Sequence, residues 1–151
     1  APGSLFPALD RFAQFFLEPL FNESATEREA SAVNSEHQKN IPDDTWRLME
    51  VQKLLARPGH PFTKFGTGNY ETLITIPRKK GLDTRQALLA FHQKWYSANI
   101  MTVAVYGKEP LDTLEQEVGR LFSDIQDKGL EKPCWPEHPF GPNEVGRILE
   151  V

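Results

Sequence analysis

A single cysteine, Cys134, leaves the chain no partner for an internal disulfide, which fits a reducing compartment. No run of about 18 apolar residues occurs, so no membrane-spanning helix is expected. Dense basic stretches are missing as well. With 17 Lys and Arg against 21 Asp and Glu, the net charge is −4, which argues against nucleic acid as the main partner. No signal or transit segment can be read, and the opening Ala-Pro-Gly-Ser, without methionine, has the look of a processed or cloned piece. What is present suits a soluble globular protein. Of 151 residues 39% are apolar, and 10 Phe and 3 Trp are available to fill a core, enough for one domain or part of one.

No repeat or low-complexity segment interrupts the chain, and its periodicity orders the elements. Pro7 suits the first turn of a helix running to about Glu18, whose Leu9, Phe12, Ala13, Phe16 and Leu20 share a face thickened by Phe15. A second helix is expected from Ser24, with Glu27 three residues on as a capping box. Pro42 stops or bends it, and "PDDTW" starts a continuation to Leu55. Residues 57 to 81 read as loop, apart from an element at Tyr70–Ile76 that could be helix or strand. Asp83 and Gln86 suggest another cap, ahead of a stripe of Leu88, Phe91 and Trp95 widened by Leu89. "NIMTVAVYG" is a nearly unbroken apolar run rich in branched residues, which suits a strand covered on both faces. A last long helix carries Leu111, Leu114, Val118, Leu121, Phe122 and Ile125 on one side, and "GRILEV" reads as a strand. The class expected is helix-rich α/β with few strands, whose sheet partners lie elsewhere in a longer polypeptide.

The second helix poses the chemical question. Its face of Glu29, Ala32, Val33, Glu36 and Asn40 is apolar in outline but holds two acids. Each ionised carboxylate would cost several kcal/mol if buried without a partner. Three outcomes relieve that cost: solvation, pairing with Arg or Lys, or a metal. The first two are the commoner. Seven residues of helix separate the acids by about 10 Å. One metal shared equally between them does not fit, whereas one ligand backed by a second carboxylate does.

The long blocks "LDRFAQFFLEPLFNESATEREASAVNSEHQKN", "WRLMEVQKLLARPGHPFTKFGTGNYETL", "FHQKWYSANIMTVAVYGKEPLDTLEQEV" and "WPEHPF" cover nearly the whole chain. They resemble the pitrilysin, or insulinase, family of zinc peptidases, the inverzincins, and within it the insulin-degrading branch. "LARPGHP" and "ETL…PRK" are also similar to the nardilysin branch. The resemblance implies helices packed on a mainly antiparallel sheet, incomplete in this chain. It identifies residues 1–151 with the C-terminal portion of an N-terminal catalytic domain. It implies an endopeptidase that cleaves short peptides with zinc-activated water. Family members bind zinc through both histidines of H-x-x-E-H, the glutamate of which activates water, and through a glutamate on a later helix. By resemblance that ligand is Glu36, Glu29 is the supporting acid, and Trp46, Met49 and Thr67 lie near substrate.

None of the four histidines, His37, His60, His92 and His138, begins H-x-x-E-H. The chain alone is therefore expected to be inactive and to bind zinc weakly, the remainder of the polypeptide supplying the other ligands. A non-catalytic structural module of the same fold is the alternative. His37, about 100° round the helix from Glu36, is read as a packing or surface residue. "GTGN" lacks the G-K-[ST] ending of a phosphate loop and is read as a turn. Arg78–Lys80 is read as solvated, and Cys134 as inert. Self-association through uncovered apolar surface or sheet edges is expected. The expected compartment is the cytoplasm, with mitochondria or others open.

Overall fold

The computed structural model describes residues 3–146, Ile148 and Glu150. In chain order the α-helices are α1 (Leu5–Leu17), α2 (Glu23–Asn40), α3 (Asp44–Leu54), α4 (Ile76–Lys79), α5 (Thr84–Trp95) and α6 (Leu111–Phe122). Short 3-10 turns lie at Pro61–Thr63 and Ala98–Ile100, and a π-helical turn, Glu71–Thr75, runs directly into α4. No helix among the described residues is long and apolar enough to cross a membrane. The chain divides into two units, one of Ala1–Asn22 with Arg85–Lys132, the other of Glu23–Thr84 with Pro133–Val151.

The first unit is built on α1 and α6. Leu9 and Ala13 of α1 meet Leu121 and Phe122 of α6 in a buried cluster, with Phe16, Leu17, Val105, Val118 and Ile125 packed round it. This follows the expected stripes in part: Leu111, Leu20, Phe12 and Phe15 remain exposed. The Phe122 ring stands 6.2 Å from that of Phe16 and 6.4 Å from that of Phe12, a spacing at which aromatic pairs attract. After α1 the chain turns at Phe21, which adopts a left-handed backbone with φ 42°. Such a conformation strains a bulky residue. Two contacts hold it: Arg85 Nε donates to its carbonyl, and its ring lies edge-on to His92 at 6.0 Å.

Ser97 is the most buried polar residue of the first unit, fully enclosed and fully bonded. Its hydroxyl donates to Asn99 Oδ1 at 2.6 Å and accepts the Lys128 backbone N–H at 2.8 Å. Asn99 Nδ2 then donates to the Leu130 carbonyl at 2.7 Å. Together these bonds tie 126–130 to the end of α5. Removing the hydroxyl strands the Lys128 N–H, so Ser97→Ala should lower stability by about 1–3 kcal/mol. The check is the urea midpoint, compared with Ser35→Ala, whose exposed bond back to the Ser31 carbonyl is worth little.

The second unit buries Ala30 of α2, Ala56 just beyond α3, and Ile74 of the π-helical turn. Asp43 caps α3, accepting from the N–H groups of Thr45 at 2.9 Å and Trp46 at 3.2 Å. The undecided Tyr70–Ile76 element is helical. Residues 57–63 and 137–141 clasp one another: the Arg57 guanidinium pairs with Glu137, the Arg57 N–H donates to the Pro139 carbonyl at 2.8 Å, and the Phe62 and Phe140 rings meet edge-on at 5.7 Å.

Two expectations are corrected. Every regular element among the described residues is helical, so the α/β class with helices on a mainly antiparallel sheet does not hold for this structure. "NIMTVAVYG" begins as the turn Ala98–Ile100 and leaves Met101–Gly107 without regular pairing. A strand needs a neighbour to take its N–H and C=O groups, and no described segment pairs with this one. The "GRILEV" strand falls partly on Arg147, Leu149 and Val151, outside the described residues. The stripe of α5 is also turned in part: Leu88 and Phe91 are exposed, while Leu89 and Trp95 of the expected stripe are partly covered, together with His92 and Tyr96. His92 and Tyr96 stack at 4.2 Å, and the ring Nε2 of His92 is 3.0 Å from the Phe16 carbonyl.

Candidate functional site

The face that α2 buries is not the one its apolar outline suggests. Ala25, Thr26, Ala30, Val33, Asn34, His37 and Asn40 are the covered or half-covered positions, so that of the expected face Val33 and Asn40 are half-covered and Glu29, Ala32 and Glu36 are exposed. At 100° per residue the acids lie about a quarter-turn of the wheel from the centre of the packed face. Placement on this flank removes the desolvation cost, and neither carboxylate forms an ion pair among the described residues. The neighbouring acid Glu27 does, with Arg78 at 3.1 Å. Glu29 and Glu36 thus share one exposed strip, with the small Ala32 between them.

The loop after the turn Pro61–Thr63 is pinned to the other side of α2. Phe65 lies edge-on to His37, ring centroids 5.1 Å apart, and the Tyr70 N–H donates to Asn34 Oδ1 at 3.1 Å. His37 is therefore a packing residue, as its place on the wheel suggests. Gly68 has φ +82°, and a Cβ there would lie 3.3 Å from the Leu73 side chain, so both backbone and space call for glycine. Asn69 begins the helical segment with a reciprocal cap: Thr72 N–H donates to Asn69 Oδ1 at 2.9 Å, and Asn69 N–H donates to Thr72 Oγ1 at 3.0 Å. Pro77, lacking an N–H, cannot donate to the Leu73 carbonyl four residues back; the Thr84 hydroxyl donates there at 2.5 Å. "GTGN" is a turn leading into a helix, and its Thr67 is exposed.

Of the other residues singled out, Trp46 is 37% exposed and Met49 half-buried, both on α3. Cys134 is exposed with a free thiol. Among the described residues no group of three or more His, Cys, Asp or Glu side chains could hold a metal ion. The donor set fits a contribution of one carboxylate to a centre completed from other parts of a polypeptide. Sequence reasoning missed the Asn34 anchor and the Asn69–Thr72 cap. The Asn-x-x-Thr spacing carried the signal for the cap. Nothing in the sequence flagged Asn34, whose partner is 36 residues away.

The comparisons with known proteins converge. The family model described as insulinase, peptidase family M16, matches residues 2–59, and the one described as the peptidase M16 inactive domain matches residues 84–149. The insulin-degrading enzyme of Drosophila melanogaster is 54% identical over all of this chain and 15% of its own length. That of Homo sapiens is 51% identical over 95% of the chain and 14% of its own. The crystal structure of pitrilysin superposes with a TM-score of 0.75 at 37% identity, over 85% of this chain and 13% of that one. The chain thus spans about one seventh of the curated relatives it matches. Long blocks of identity, two models of one family and a shared three-dimensional fold agree, and the chain belongs to peptidase family M16, the insulinase family.

Proposed function

We propose that this chain is the later part of the catalytic domain of a zinc-dependent endopeptidase that cleaves short peptides. Glu36 supplies one carboxylate ligand, and Glu29 supports the ligand set from the same strip. Trp46, Met49 and Thr67 contact the substrate. Bound zinc would supply a polarised water for attack on the peptide carbonyl. The observation that carries the reading is the exposed pair Glu29 and Glu36, two turns apart on one strip of α2 and outside every ion pair among the described residues. One carboxylate cannot hold zinc usefully, so the isolated chain should be inactive and bind the metal weakly, the histidine ligands coming from the remainder of the polypeptide.

Zinc titration with a fluorogenic-peptide assay tests this on the chain alone and on a polypeptide extended to include the H-x-x-E-H segment. Zinc-dependent cleavage by the extended protein, with none by the isolated chain, is the expected result. Absence of both from the extended protein favours a second reading, a non-catalytic structural module, which the inactive-domain description of residues 84–149 also favours.

The isolated chain should also self-associate. Phe15 (67% exposed), Phe91 (57%) and Tyr106 (100%) leave apolar surface open, and Met101–Gly107 has unpaired backbone beside it. Light scattering across a concentration series should show a rising mean mass; a constant monomer mass would contradict it.

A further inference from the structure

The side chain of Lys53, on α3, is only 12% exposed, an unusual depth for a lysine in a chain with few fully buried residues. Its ammonium bonds to Glu50 Oε1 at 2.7 Å and lies beneath Gly66, where a Cβ would stand 3.2 Å from Nζ. That separation is tighter than an ordinary side-chain contact. The loop thus rests on three supports: Phe65 against His37, Gly66 over Lys53, and the Tyr70 N–H on Asn34. Asn34 and His37 flank Glu36 on α2, so the same helix that carries the proposed ligand fixes both ends of the loop carrying Thr67. Gly66, in the middle of the loop, lies against Lys53 of α3.

We infer that Lys53, held by Glu50, is a positioning residue that sets the height of the Gly66–Gly68 backbone and thereby presents Thr67 to the peptide. The inference rests on the proposed function through Thr67, but the Lys53–Gly66 contact does not. The amine fits this place because Glu50 holds it and no side chain intervenes at Gly66. A Cβ at 66 would make the amine give way by a few tenths of an ångström, and loss of the amine would let the loop sink. Lys53→Met and Gly66→Ala should therefore have the same consequence.

The test uses the full-length peptidase carrying this chain, with a fluorogenic peptide as probe. Lys53→Met and Gly66→Ala should each lower kcat/KM by about tenfold, because small misplacements of a positioning group are costly. The double variant should be no worse than either single one, and Lys53→Arg should recover part of the loss. Zinc content and thermal midpoint should stay at wild-type values, separating positioning from folding or metal loss. Hydrogen exchange at the amides of 66–68 should quicken in Lys53→Met. Multiplying losses in the double variant, or wild-type kinetics and exchange in both single variants, would overturn the role of Lys53. An unmodified full-length protein without zinc-dependent cleavage overturns the proposed function instead, and the exchange measurement then still decides whether Lys53 holds the loop.

Discussion

Glu36→Gln in the full-length peptidase is expected to lower zinc occupancy and to reduce kcat/KM by more than about a hundredfold. Glutamine keeps the shape of the side chain and its place on the exposed strip of α2 but presents a neutral amide oxygen to the cation. Replacing an outer partner of a metal site typically costs about 10–100-fold in affinity or activity, which sets the smaller expectation for Glu29→Gln. The two variants should therefore rank in a fixed order, Glu36 the worse. Metal analysis of the purified proteins beside peptide kinetics measures both. Because Glu36 is exposed and forms no ion pair among the described residues, the substitution should leave folding intact, within about 0.5 kcal/mol. Retention of zinc and activity within threefold of wild type would remove Glu36 from the ligand set.

Phe122→Ala should be the most damaging single change to the first unit. The ring is 8% exposed, packs in the cluster with Leu9, Ala13 and Leu121, and faces both Phe12 and Phe16. Truncating a buried phenylalanine removes its transfer free energy and leaves a cavity, a loss of about 3–5 kcal/mol. Domains commonly have only about 5–15 kcal/mol in total, so the variant should unfold at markedly lower denaturant. Phe15→Ala, on α1, makes the control: at 67% exposed it should change the midpoint little. Equal effects would mean that the α1–α6 contact is not the core of the unit.

Where the chain supplies both partners of a contact, sequence pattern located it well. The stripes of α1 and α6 meet each other through Leu9, Ala13, Leu121 and Phe122, as repeats of three and four require. Met101–Gly107 shows the opposite case. Its branched residues satisfy every local criterion for a strand, but pairing is a property of two segments, and periodicity describes one. The acids of α2 fall between. Resemblance reads their spacing and type as a metal-site pattern, yet the wheel puts them on the packing face because alanine and valine lie on both sides of the boundary. The covered side is settled by Asn34 and His37, polar residues that periodicity discounts and that the loop at 65–70 recruits through a ring contact and one backbone hydrogen bond. Lys53, on α3 with Trp46 and Met49, lies against a glycine 13 positions on, a neighbour that the period of its own helix does not reveal.

The reciprocal cap and the left-handed glycine before it divide the short loop into two kinds of position. Residues 68 and 69 answer to backbone geometry, and any lineage that keeps the helix after them must keep glycine and a short hydrogen-bonding side chain there. Thr67 carries no such obligation. Drift at that one place, against a background of fixed neighbours, would leave the fold as it is.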